Sequence, residues 1–155
     1  MSAVFEVRHS LRPMLETDLP RIHRIEQASY DYPWSLGNFT DSLRTGYCMW
    51  VREAEGEVVG YYAMAAAAGE AHLLNLTIAP LWRRHGLGRD LLRHCLERAC
   101  DHRAENLFLE VRTSNTAAIE LYRSSGFVDL AVRRAYYPSR VGREDALVMK
   151  KDLMC

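Results

Sequence analysis

The sequence predicts one α/β domain over residues 1–155, with a mixed, mostly antiparallel sheet flanked by helices. Three observations carry this prediction. Short apolar stretches that end at glycine, proline or charged turns are typical of strands. Longer stretches repeat their apolar residues with the 3.6-residue period of a helix. Between them, residues 75–92, NLTIAPLWRRHGLGRDLL, change from a strand pattern to a helix pattern across a glycine-containing turn.

Composition limits the class of protein. A chain of 155 residues with 48% hydrophobic and 26% charged residues is typical of one globular domain with its own core. Lys+Arg and Asp+Glu both number 20, and this balance argues against a general nucleic-acid-binding protein. No stretch reaches the length of a membrane span. We therefore expect a cytoplasmic protein that binds neither membranes nor, directly, nucleic acids.

The cysteines and histidines give no sign of a metal site. The four cysteines form no C-x-x-C pair and have no zinc-site spacing. Cys95 and Cys100 fall in a helical pattern, where we expect small buried residues. This usage favours a reduced, cytosolic setting. His94 and His102 lack the carboxylate or cysteine spacing that would support a metal, so we expect none.

The predicted elements follow the order β-α-α-β-β-β-α-β-α-β-β. Short polar residues stand where helices should begin, and glycine stands where they should end. Ser35 is expected to cap a short second helix that Gly46 ends. Asn115 or Ser114 is expected to cap the last helix, which Gly126 ends. The strands are expected at residues 4–12, 49–53, 58–67, 71–79, 107–111, 127–137 and 146–149. Thr17 is expected to cap the first helix, which runs to about Ser29, and the third helix follows Gly88.

The turn before the third helix has the features of an anion site. The first N–H groups of a helix have no partner inside it, and the positive end of the helix dipole lies there. Glycines let a ligand approach the backbone closely, so a phosphate could bind. A Walker A loop would need a lysine and a Ser/Thr after Gly88, and neither is present. A Rossmann fingerprint would need a third glycine at position 91, which is Leu91. The simpler alternative is a βα turn that carries surface arginines.

The pattern Arg83-x-x-Gly86-x-Gly88 resembles the acetyl-CoA pyrophosphate loop of the GCN5-related N-acetyltransferase (GNAT) superfamily, which is written Q/R-x-x-G-x-G/A. The predicted order of strands and helices is also similar to that fold. The resemblance implies that the chain uses acetyl-CoA.

Acetyl transfer from a thioester to an amine makes three chemical demands. The amine loses a proton, the oxyanion needs a donor, and the departing thiolate gains a proton. Glu110 is a candidate base because it interrupts an apolar strand, LFLEV, and faces away from its two apolar neighbours. The alternatives are a salt bridge, to Arg112 or another nearby arginine, and a solvent-facing position. His72 and Glu70, on the strand before the turn, are alternative bases.

Tyr122 is the candidate proton donor. It shares a helix face with Ala118 and Ser125, whose small side chains leave its ring room to lean towards a cleft. A phenol with a pKa of about 10 can donate a proton to a thiolate. The alternative is an ordinary half-buried tyrosine. Asn115 either caps its helix or holds an amide of the cofactor, and a backbone N–H of residues 76–78 is the expected oxyanion donor.

Several segments resemble the bacterial ribosomal-protein-alanine N-acetyltransferases, the RimI family: residues 32–35, 75–92, 106–127 (NLFLEVRTSNTAAIELYRSSGF) and 133–149 (RRAYYPSRVGREDALVM). That family acetylates the N-terminal alanine of a small-subunit ribosomal protein, the one numbered eighteen. The resemblance implies that Glu110 is the base and Tyr122 the acid. It also implies cofactor contacts on the strand, the turn and the last helix start, at Leu76, Thr77, Ile78, Arg83, Arg84, His85, Gly86, Leu87, Gly88, Arg89 and Asn115.

Tyr136 and Tyr137 are the candidate acceptor-binding residues. In the resembled family their segment lies over the peptide N-terminus, where tyrosines can exclude water and hydrogen-bond the peptide backbone. The alternative is packing at a strand end. An α-amine, with a pKa of about 7.7–8.0, asks less of one carboxylate than a lysine side chain of about 10.4. Lysine or small-molecule amine acceptors, and a non-enzymatic acyl-CoA-binding module, stay open as alternatives.

Overall fold

A computed structural model describes residues 8–155, and residues 4–7 of the predicted first strand lie outside this part. Strands and helices follow the predicted order, and the strands form one seven-stranded sheet. No helix in the described part is long and apolar enough to cross a membrane. The elements are β1 His9–Pro13, α1 Leu19–Ser29, α2 Leu36–Thr45, β2 Cys48–Ala54, β3 Glu57–Ala67, β4 Glu70–Ile78, α3 Leu87–Asp101, β5 Asn106–Arg112, α4 Thr116–Ser124, β6 Val128–Ser139 and β7 Gly142–Asp152.

The sheet contains a gap between its two central strands. Its order is β1-β2-β3-β4-β5-β7-β6, and all neighbours are antiparallel except β4 and β5. Within the described residues, these two pair only over residues 70–72 and 106–108. β4 continues to Ile78 and β5 to Arg112, so the strands separate beyond this pairing. We call the space between them the β4–β5 gap.

Helices cover the two faces of the sheet unequally. α3 and α4 cover one face, where Leu91, Leu107 and Ile119 belong to one buried cluster. α1 and α2 cover part of the other face through Ile22 and Phe39. Burial of each such side chain contributes about 1.5–3 kcal/mol. Among the described residues this second cluster contains none from β5, β6 or β7, so their half of that face is open.

The helix ends lie where the polar residues and glycines predict them. The Ser35 side chain accepts a hydrogen bond from an N–H in the first turn of α2 (3.1 Å). Gly46 ends α2 in a left-handed conformation with φ 88. Asn115, rather than Ser114, caps α4 by accepting from an N–H in its first turn (3.2 Å). These short-range predictions are confirmed.

The predicted cap of α1 is wrong. Thr17 lies in a 3-10 turn, Glu16–Asp18, and Asp18 takes the N-cap position. Two N–H groups of the Arg12 guanidinium donate to the Asp18 carboxylate at 2.7 and 2.8 Å, and this interaction lowers the pKa of Asp18. The ion pair joins β1 to the start of α1, a contact that a local pattern does not reveal.

The last two strands are longer than predicted. Strands were expected at residues 127–137 and 146–149 with a connection over 138–145, but in the structure β6 ends and β7 begins inside that connection. β6 carries a bulge, and the Arg143 guanidinium donates to two carbonyls in it at 2.7 and 3.0 Å. Pro138 is tolerated because β6 is an edge strand.

One prediction for the cysteines is confirmed and one is wrong. Cys95 is fully buried, as expected. Cys100 is not a buried thiol, because it forms a disulfide with Cys155, with 5.5 Å between the Cα atoms. The two residues are 55 positions apart, so no local pattern could indicate the pairing.

Candidate active site

The turn between β4 and α3 presents a row of backbone N–H groups. Gly86 takes the N-cap position of α3 with φ 76, a left-handed conformation that favours glycine. Within the described chain, the N–H groups of residues 84–89 donate to no backbone carbonyl, and Asp90 is the next donor, to the Gly86 carbonyl (3.2 Å). A helix start with unused donors and a positive dipole end is suited to an anion.

Gly88 shows whether this helix start fits a ligand. A Cβ on Gly88 would meet Leu121 Cδ2 at 3.5 Å and Ile78 Cγ1 at 3.9 Å, which are ordinary van der Waals contacts. Packing inside the protein therefore does not require glycine at this position. Close approach of a ligand to the backbone would require it. The turn fits a pyrophosphate group such as that of acetyl-CoA.

The basic side chains of the turn divide into two groups. Arg83 folds back and donates from Nε to the Ile78 carbonyl (3.1 Å), which fastens the turn to the end of β4. Arg84, His85 and Arg89 are exposed around the helix start. The first group therefore stabilises the turn, and the second can contact a bound anion.

The edge of β4 supplies backbone donors to the β4–β5 gap. The Ala79 N–H donates to the Val59 carbonyl of β3 (2.7 Å). Successive N–H groups of a strand point in opposite directions, so that of Thr77 also points to β3. Those of Leu76 and Ile78 therefore point into the gap, where the sequence predicts an oxyanion donor.

Glu110 lies on the rim of the gap, on the open face of the sheet. It follows Phe108, the last β5 residue paired with β4, by two positions. Its side chain is 12% exposed and accepts a hydrogen bond from His72 Nε2 at 2.5 Å. A guanidinium nitrogen of Arg133 lies 3.9 Å from its other oxygen. The structure thus pairs two residues that the sequence presented as alternative bases.

Of the arginines that the sequence offered as salt-bridge partners of Glu110, Arg112 is wrong, whereas another nearby arginine, Arg133, lies within 3.9 Å of the carboxylate. Arg112 instead donates to the Glu144 carboxylate at 3.2 Å and to a backbone carbonyl of β6. Its guanidinium also lies over the rings of Tyr137 and Tyr32, 4.5 and 5.5 Å from their centroids. Arg112 therefore joins the segment after α1 to β6, beside the open face.

Tyr136 and Tyr137 lie together on β6, and Tyr137 is close enough to Glu110 to feel its charge. Their rings meet edge to face at 4.9 Å, and the Arg133 guanidinium lies 5.4 Å from the Tyr136 ring centre. Burial, with the nearby Glu110 charge as a smaller cause, raises the pKa of Tyr137 to about 12. Its hydroxyl therefore remains a hydrogen-bond donor at neutral pH.

Tyr122 is buried rather than half-buried, with 8% of its surface exposed. It packs edge to face on Phe127 at 5.6 Å between ring centres. Burial raises the pKa of Tyr122 above its usual value, and the nearby phenols of Tyr30 and Tyr137 raise it further. Its hydroxyl keeps its proton near neutral pH and can act as a proton donor.

Sequence reasoning missed a buried carboxylate, Glu26. It is 2% exposed and lies on the apolar face of α1 with Ile22, and this position was the available signal. Three donors from different parts of the chain satisfy it: the Trp34 N–H (2.9 Å), the Tyr61 hydroxyl (2.8 Å) and the Asn75 side-chain amide (2.9 Å). Nearby, the Tyr30 and Thr77 hydroxyls lie 2.7 Å apart. This network fixes α1 and the segment after it against β4.

Other candidates lie outside this cluster. Glu70 is exposed at the start of β4, and among the described residues it makes no side-chain hydrogen bond to Glu110. The Asn115 side chain is engaged in capping α4. His94 Nδ1 lies 2.8 Å from the Tyr62 hydroxyl. No group of three or more metal-ligating side chains is found within residues 8–155.

Comparison with known proteins agrees with this geometry. Residues 10–127 match the sequence model of the acetyltransferase (GNAT) family. The chain therefore belongs to the GNAT family, and it is an acetyl-CoA-dependent N-acetyltransferase, as the sequence pattern predicted.

Its similar relatives include ribosomal-protein-alanine N-acetyltransferases. The ribosomal protein bS18-alanine N-acetyltransferase of Escherichia coli strain K12 is 39% identical over 133 residues, which cover 86% of this chain and 90% of the relative. The putative enzyme of that name from Bacillus subtilis strain 168 is 32% identical over 146 residues, covering 93% and 95%. The crystal structure of the Escherichia coli ribosomal-protein-S18-alanine N-acetyltransferase matches with a TM-score of 0.90 at 35% identity, over 96% of each chain. The predicted fold and the predicted RimI family are confirmed.

Proposed function

We propose that this enzyme transfers the acetyl group of acetyl-CoA to the N-terminal α-amine of a ribosomal protein, an alanine on the bS18 protein. The relatives that carry this activity in their names match nearly the whole chain. The carrying observation in the structure is the secluded Glu110 carboxylate at the rim of the β4–β5 gap. We further propose that residues 1–155 act as one domain in the cytoplasm, where ribosomes are assembled.

Each chemical demand has a proposed residue. Acetyl-CoA supplies the acetyl group as a reactive thioester. Glu110 accepts the proton of the acceptor ammonium, directly or through water. The N–H groups of Leu76 and Ile78 stabilise developing negative charge on the carbonyl oxygen. Tyr122 donates its proton to the departing thiolate, and no covalent acyl-enzyme is needed.

The proposed cofactor residues line two connected surfaces. The free N–H groups of the turn and the exposed Arg84, His85 and Arg89 hold the pyrophosphate. Residues 76–78, at the β4 edge of the β4–β5 gap, align the rest of acetyl-CoA. Asn115 stays in the proposed set because its side-chain amide N–H₂ can still donate while its oxygen caps α4.

The proposed acceptor residues lie on the open face. Tyr137 lies near the Glu110 charge with Tyr136 packed against it, and Arg112 links Tyr137 to Tyr32. An α-amine fits this site better than a lysine side chain, because an amine with a pKa of about 8 gives up its proton to one carboxylate more easily.

Two measurements test the proposal. In cells, mass spectrometry of protein N-termini should show loss of acetyl-alanine on bS18 when this protein is absent. In vitro, peptides that begin with alanine should be acetylated faster than lysine peptides, polyamines or aminoglycosides. Preferential acetylation of a lysine or polyamine would contradict the acceptor, and no thiol release with any amine would contradict acetyl transfer.

Glu110→Gln is the sharper test of the base. It should lower kcat by about 100-fold or more while acetyl-CoA binding stays intact, because a neutral amide cannot accept the proton. Glu120→Gln, an exposed carboxylate on α4, is the matched control and should retain full activity. Normal turnover by Glu110→Gln would reject the assignment.

A further inference from the structure

His72 is joined to the proposed base by strand register. β4 and β5 run parallel and pair His72 with Phe108, so Glu110 is the next β5 residue on the same face. His72 Nε2 and Glu110 Oε2 are 2.5 Å apart. The His72 side chain is 40% exposed and that of Glu110 only 12%, so the imidazole is the more solvent-accessible partner.

The surroundings leave His72 as the direct partner of this carboxylate. Within residues 8–155, no other side chain hydrogen-bonds to Glu110. β3 and β7 present Ala65 and Val148 opposite His72 and Glu110, and neither side chain titrates. From β6, Arg133 approaches to 3.9 Å and the Tyr137 phenol lies near.

We infer that His72 is a positioning residue for Glu110 in the proposed reaction. Its Nε2–H occupies Oε2 and fixes the carboxylate plane, which leaves Oε1 to receive the proton of the acceptor ammonium. The amine becomes neutral, Glu110 becomes the carboxylic acid, and the proton leaves to water in the next step. This inference rests on the proposed role of Glu110.

Two substitutions test this hydrogen bond. His72→Phe removes it, and kcat should fall about 10- to 100-fold, which is the effect of losing a hydrogen bond to a charged group. His72→Gln keeps an N–H donor, so it should retain more of kcat. His102→Gln, at an exposed site beyond α3, is the matched control and should leave kcat unchanged.

The dependence of the effect on Glu110 gives a readout that a merely structural role would not move. In a Glu110→Gln background, His72→Phe should cause no further loss. The KM for acetyl-CoA should stay constant throughout.

The outcomes distinguish this inference from the proposed function. If the unmodified enzyme does not acetylate the alanine peptide, the proposed function fails. If it does, and His72→Phe keeps its kcat, the role of His72 is rejected while the function stands. A loss in His72→Phe that persists in the Glu110→Gln background would also reject it.

Discussion

Tyr122 carries its proton in surroundings that oppose ionisation. Its pKa is raised chiefly by burial, so the phenol stays protonated well above neutral pH. We predict that Tyr122→Phe lowers kcat by about 100-fold, because it removes the proposed proton donor without emptying the ring site. Acetyl-CoA binding should be unchanged.

Kinetics with leaving groups of different acidity measure this role. Tyr122→Phe should recover most with an acetyl thioester whose thiol is more acidic than that of CoA, because such a thiolate needs less proton transfer. Tyr47→Phe, a partly exposed phenol at the start of β2, is the control. Equal losses on both thioesters would exclude Tyr122 as the acid.

At the residue scale, the sequence revealed positions but not partners. The pattern LFLEV predicted that Glu110 faces away from its apolar neighbours, and the alternating burial of β5 confirms that orientation. Its partner, His72, depends on the register of a parallel pair whose strands are separated by α3 and the loops around it. Proximity in sequence suggested Arg112 instead, which the structure turns towards Glu144. The roles of these residues stay predictions.

At the element scale, a substitution at the start of α3 should have opposite effects on the stability of the fold and on the binding of acetyl-CoA. Gly88 is the second residue of α3, where alanine has a higher helix propensity and meets no close contact. We predict that Gly88→Ala increases the free energy of unfolding by up to about 1 kcal/mol. It should nevertheless weaken acetyl-CoA binding by about 10-fold, because the new methyl group occupies the approach to the N–H groups.

Gly37 provides a matched control for that prediction. It is the second residue of α2, and a Cβ there would meet Ser35 Oγ at 3.7 Å. Gly37→Ala should therefore give a similar gain in stability and leave acetyl-CoA binding unchanged. Equal affinity in Gly88→Ala and the unmodified enzyme, measured by calorimetry, would contradict a pyrophosphate site at this helix start.

Elements with local signals were the ones predicted well. The caps of α2 and α4 depend on one side chain and the next turn, and both were correct. The start of α1 and the length of the β6–β7 hairpin depend on arginines that reach across the fold, Arg12 and Arg143. Such contacts are set by tertiary structure. The sequence pattern therefore placed the start of α1 and the limits of the hairpin at the wrong residues.

At the scale of the whole molecule, the Cys100–Cys155 disulfide closes a long loop. A separation of 55 residues corresponds to a stabilisation of about 4 kcal/mol in the chain-entropy model. We predict that a reductant lowers the free energy of unfolding by up to this amount. Cys155→Ser should start at the lower value and respond little to reductant in a denaturant titration.

Activity should not follow this loss of stability. Cys100 lies near the end of α3 opposite to Gly86, about 20 Å away along a 15-residue helix. The folded enzyme should therefore keep its kcat at 25 °C when reduced. A fall in kcat that parallels reduction would show that the disulfide constrains the site.

The short pairing between β4 and β5 has a mechanical consequence. Across the middle of the sheet, the backbone pairing between strands β1–β4 and strands β5–β7 is limited, within the described chain, to residues 70–72 and 106–108. The His72–Glu110 hydrogen bond and the shared apolar cluster are further contacts between the two halves. A ligand that accepts hydrogen bonds from the N–H groups of Leu76 and Ile78 and also contacts β5 would connect the two halves of the sheet. Substrate binding would then make the enzyme more rigid, and product release would require the two halves to regain their relative motion.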